Sequence, residues 1–114
     1  MNSFANGIGQ QVLWLHQNVL LIPESNEIVG IVLGQCIFSR RGALKGKYFN
    51  HTLYDEKGRI IAKECNAKCK SEHLYNSLVQ NASFILEKIK KHHISWITPG
   101  TTWIKEPVLD FLTA

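Results

Sequence analysis

Cys65, Cys69 and His73 stand four residues apart, the interval that returns a helix to the same face. On one continuous helix, with His92 or His93 as a fourth ligand, they would suit Zn²⁺. The preceding segment argues against this. Arg59 to Cys65 reads as a strand, so Cys65 ends an extended run and the helical series breaks at its first member. The expectation is reduced thiols, no metal and no cofactor, with Cys36 acting as a small core residue in an apolar strand. Nucleophilic chemistry finds no better footing. His16 and His51 add to the histidines, yet no stretch matches a nucleophile elbow, a catalytic-cysteine motif, a P-loop or a glycine-rich dinucleotide loop. Asp and Glu total 9, and no two of them sit together in an apolar setting suited to acid–base work. A small enzyme is thus the third reading, without assignable catalytic residues.

Two other groups of residues suggest binding. Arg40, Arg41, Lys45 and Lys47 surround a turn and lead into Tyr48 and Phe49. A basic hairpin with neighbouring aromatics is one way a sheet holds single-stranded nucleic acid, and a nucleic-acid-binding domain is the alternative reading. Phe84, Trp96 and Trp103 form the second group. Phe84 projects away from the apolar face of the helix expected around it, and the two tryptophans add large rings near the C-terminal end. Exposed aromatics favour interface centres. The leading reading is therefore a non-enzymatic interaction or small-ligand-binding module, with self-association as a homodimer or a protein partner.

The elements that must position these residues follow from pattern. Gln11 to Ile22 favours strand, bent near His16-Gln17-Asn18, while Ile8, Val12, Leu15, Val19 and Ile22 also recur at helical spacing and leave a helix open; Pro23 ends either element. Glu27 to Phe38 is apolar on both faces and reads as a central strand, with Gly30 and Gly34 at a close contact or bulge. Ser39 to Gly42 is a turn, and Leu44 to Tyr54 a further strand. Asp55-Glu56-Lys57-Gly58 is a hairpin turn, since Asp bonds its own backbone and Gly takes φ > 0. Tyr54 to Arg59 also resembles the Tyr-Asp…Gly-Arg signature of YD-repeat proteins. Those carry many tandem copies and one stands here, so hairpin chemistry accounts for it. No internal repeat is visible. Ser71 to Lys91 has the period of an amphipathic helix, with Leu74, Leu78, Val79, Ile85 and Ile89 on one face. Ile94 to Ile97 and Thr101 to Ile104 look extended about Pro99-Gly100, bringing Trp96 opposite Trp103, and Pro107 opens a last short helix through Leu112.

At 114 residues, 45% hydrophobic and 19% charged, the chain suits one globular domain and excludes a disordered one. The net charge of +4 permits an anionic partner without requiring one. No leader and no membrane span are expected, and three cysteines fit a reducing cytoplasm. The fold class expected is α+β: an antiparallel β-meander packed against one long amphipathic helix, with a short C-terminal extension, as a single domain over residues 1–114.

Overall fold

The structure, a computed structural model, describes residues 2–23, 25, 27–65, 83–89 and 97–113. Eight strands follow one another: β1 Asn2–Ala5, β2 Gln11–His16, β3 Val19–Leu21, β4 Ile28–Leu33, β5 Cys36–Ser39, β6 Leu44–Phe49, β7 Thr52–Asp55 and β8 Ile60–Cys65. Each pairs antiparallel with the next, and β8 returns to β1 to close a barrel. The α+β expectation is overturned: the meander is present, but it curls shut and packs on itself instead of beneath one long helix. Most of the expected helix lies outside the described residues. Within them there is one turn, α1 Ser83–Leu86, and the chain then turns at Glu87 and Lys88. The expected C-terminal helix is present as α2, Val108–Thr113.

Three two-residue turns account for the extra strands. Gln17-Asn18, Gly34-Gln35 and Asn50-His51 all have positive φ at both positions, the type I′ geometry whose twist matches paired strands. They divide each of the three long strands read from the sequence in two. At the other end of the barrel, three loops share one set of hydrogen bonds. The side chains of Asn6, Ser39 and Asp55 each accept the backbone N–H groups two and four residues on. Each loop then brings a glycine, Gly9, Gly42 or Gly58, through positive φ, and that glycine's N–H returns to the carbonyl of Asn6, Ser39 or Asp55. The Asp55–Gly58 turn is as expected, with Gly58 at φ 83°.

The likeness extends into the strands. The pairs β1–β2, β3–β4, β5–β6 and β7–β8 each carry a register shift beside the loop. Beyond it, Phe4, Leu20, Ile37 and Leu53 face Leu13, Gly30, Gly46 and Ala62 across the ladder. The barrel is thus four copies of one hairpin with a period of about 16 residues. Phe4, Leu20, Ile37 and Leu53 are fully buried and form the middle layer of the interior. Small residues opposite three of them let neighbouring strands bend sharply at the bulge.

Val108 and Leu112 of α2 join the interior cluster, so this helix plugs the end carrying the longer loops. A second apolar cluster lies on the outer wall. Trp14, Val19, Leu21, Ile31, Cys36 and Phe38 are covered by Ile85 and Ile89, two residues of the apolar face expected for the helix. The expected partner of Thr101 to Ile104 within the tail, Ile94 to Ile97, lies mostly outside the described residues. Trp103 bridges Ile60 in parallel, where β8 extends beyond β1. No helix among the described residues is long and apolar enough to cross a membrane. The strands, three to six residues long, are well short of the roughly nine to eleven that cross a bilayer.

Candidate functional site

The plugged end holds the most distinctive side-chain group. A groove of about 320 Å³ runs between the Ser39–Gly42 loop, α1 with the turn that follows it, and the last residues of α2. Its described lining is Ser39, Arg40, Arg41, Phe84, Lys88, Leu112 and Thr113. These residues carry three cations and no carboxylate.

Local chemistry explains how they meet. The Ser39 hydroxyl accepts the N–H groups of Arg41 and Ala43, both at 3.3 Å, which fixes the loop and turns both arginines outward, where they are exposed. Gly42 then seats the loop directly on the backbone at Lys88. A Cβ there would stand 2.5 Å from the Lys88 carbonyl, and φ is 79° besides, so only glycine allows the approach. The Lys88 ammonium lies 5.4 Å above the Phe84 ring. Arg40 Nη1 donates to Glu27 Oε1 at 2.8 Å, with both side chains about half exposed. Such a pair is weak and leaves guanidinium N–H groups for another acceptor.

The two binding groups read from the sequence therefore partly converge. Phe84 and the arginines, assigned to different partners, line one groove. Phe84 is half-buried against the outer-wall cluster, not projecting free. The closed barrel also leaves no unpaired edge strand for a second copy to extend. Lys45 occupies a bulge position where the other copies have Val12, Val29 and Ile61, and its ammonium lies 5.5 Å over Phe111 of the plug. Lys47 is buried on the outer wall beside Tyr54. Arg40, Arg41, Lys45 and Lys47 are thus not one surface. Trp103 lies elsewhere, half-buried with the Lys63 ammonium 5.7 Å from its ring. Trp96, Cys69, His73, His92 and His93 lie outside the described residues. Cys65 does end a strand, and among the described residues no three His, Cys, Asp or Glu groups converge as metal ligands. Sequence reasoning missed Lys88. It falls among the polar residues of the expected helix, and only Gly42 hints that a second chain segment lies against this loop.

The opposite mouth holds a polar cluster. His51 Nδ1 meets Glu64 Oε2 at 2.5 Å, and Glu64 N–H donates to the His51 carbonyl at 2.8 Å. Burial and the Glu64 charge raise the Tyr48 hydroxyl above its ordinary pKa of 10.0, partly offset by a hydrogen bond with Asn2. A tyrosine held protonated is a poor base, and His51 is 81% exposed, so this cluster closes the mouth without offering a shielded reaction site. The raised pKa has a consequence for stability. Folding favours the protonated phenol, so the contribution is complete below the unfolded pKa and is lost as pH rises through the folded one. Stability measured in urea is expected to fall above about pH 10, and Tyr48→Phe to flatten that fall. An unchanged alkaline slope in the variant would rule Tyr48 out as its source.

In class, then, the chain is a small closed all-β barrel with a helical plug and a cationic groove beside it. Comparison with protein-family models, with curated proteins and with solved structures finds no match in any of the three.

Proposed function

We propose that the protein is a non-enzymatic small-ligand-binding module of the cytoplasm, and that its ligand is an anion held in the groove beside α2. The observation that carries this is the meeting of Arg40, Arg41 and Lys88 in one concavity whose described lining contains no carboxylate. Like charges gathered around one cavity repel each other in the empty protein, and an anion relieves that repulsion. Binding rather than catalysis is supported by the same lining. Ser39 carries a hydroxyl, but no His, Cys or carboxylate stands among the described lining residues to activate it. The cytoplasmic assignment is supported by the free thiol of Cys65.

The test is calorimetric titration with inorganic phosphate at fixed ionic strength. Arg41→Glu is expected to weaken binding about thirtyfold, from the loss of one charged hydrogen-bonding group and its replacement by a repelling one. Lys57→Glu makes the same change of charge in another loop at this end, and screening holds its effect to about twofold. Equal losses in the two variants would reduce the groove to one part of a diffuse positive field.

A further inference from the structure

Resting on the anion-binding reading, we infer that the groove's ligand is a compact phosphate monoester with an apolar or aromatic body, not a polyanionic chain. The distribution of charge is the first ground. The next groove, of about 260 Å³, is lined by Lys45, Lys57 and Arg59, but also by Asp55 and Glu56. Asp55 Oδ2 accepts the Arg59 Nε–H at 2.6 Å, and Lys45 is held over Phe111. A nucleic-acid backbone repeats its charge along its length and gains affinity from each phosphate neutralised. Of these two grooves, only the one beside α2 has a described lining with cations and no carboxylate.

The chemistry of the cations is the second ground. Two guanidinium groups on consecutive residues and one ammonium offer directed donors from two chain segments. A terminal phosphate has three oxygens to receive them, and guanidinium forks bind such oxygens in pairs. Arg40 engages Glu27 through one nitrogen alone among its described contacts.

Size and lining supply the third. The volume of about 320 Å³ lies at the small end of the roughly 300–1,000 Å³ range of small-molecule sites. It exceeds what a bare phosphate needs, and the remaining space is bounded by the half-buried Phe84 ring and by Leu112. An ester with an apolar body fills that space and gains from removing the exposed part of the Phe84 ring from water.

The experiment compares inorganic phosphate, phenyl phosphate and a short oligothymidylate by calorimetry at one ionic strength. Phenyl phosphate is expected to bind about tenfold more tightly than inorganic phosphate, from burial of part of its ring. Phe84→Ser should bring the two affinities to within about twofold of each other, whereas Phe84→Leu, which keeps an apolar wall, should retain most of the difference. Equal affinity of the wild type for the two phosphates would overturn the apolar-body claim while the anion reading stands. Tighter binding of the oligothymidylate than of phenyl phosphate would overturn compactness. Failure of all three to bind would instead remove the anion reading itself.

Discussion

Gly46→Val is expected to destabilise the barrel by about 3 kcal/mol, a loss read as a lower urea midpoint with an unchanged slope. Gly46 lies on the interior face of β6 opposite Asp55 and diagonal to Leu53 of β7. It stands immediately past the bulge, and a Cβ built there would fall 1.8 Å from the Tyr54 carbonyl oxygen and 2.9 Å from the Asp55 Cα. Both contacts are backbone, so no side chain can swing aside to absorb them. The strands must separate, and the ladder that closes the barrel lengthens. Gly100→Ala is the comparison, because its Cβ would meet nothing nearer than 3.2 Å, and its effect should stay within about 0.5 kcal/mol. If Gly46→Val stayed within that range too, β6 and β7 could not approach as closely as described.

The second large effect is expected at Asp55. Its carboxylate accepts the N–H groups of Lys57 and Arg59 at 2.9 and 2.8 Å and the Arg59 Nε–H at 2.6 Å, while the residue is 3% exposed. Asp55→Ala leaves two loop N–H groups and a half-buried guanidinium without this acceptor, a loss of about 2–3 kcal/mol. The repeated hairpin makes a finer statement. Asn6 performs the same backbone task with a neutral amide, and Ser39 with a hydroxyl at a longer 3.3 Å. Asp55→Asn should therefore retain the turn and lose about 1 kcal/mol, chiefly from the Arg59 contact, with Asp55→Ser between Asn and Ala. Thermal or urea unfolding gives the order directly. Asn no better than Ala would show that the ion pair, not the turn, accounts for the effect.

Those four hairpins also show why the fold was only partly legible. Asp55 and Gly58 carry the residue types a turn of this kind demands, and that hairpin could be read at once. The Asn50-His51 turn could not, because its second residue lacks the glycine that usually marks a tight type I′ turn. Reading Leu44 to Tyr54 as one strand followed directly, as did Glu27 to Phe38 across Gly34-Gln35. With those turns hidden, too few strands remained to close a barrel, and the expected helix had to cover the open face. Asn2–Ala5 gave almost no strand signal, yet it supplies β1 and the final seam. The repeat was hidden because geometry, not identity, is what recurs. Asn6, Ser39 and Asp55 differ in every side chain while accepting the same two N–H groups. Ile85 and Ile89 were legible as an apolar face, and they are buried against the outer wall. Of the groove, the arginines and Phe84 were legible singly. Their meeting was not, since it depends on the contact between Gly42 and Lys88, residues far apart in the chain.

The groove's role is tested most directly by mapping bound phosphate with amide and side-chain NMR shifts across the whole barrel. Saturable shifts are expected at Ser39 to Gly42, Lys88 and Thr113, with none at the Gly34-Gln35 and Asn50-His51 turns of the opposite mouth. Shifts scattered over the exposed lysines, or centred on the His51–Glu64 mouth, would contradict that role.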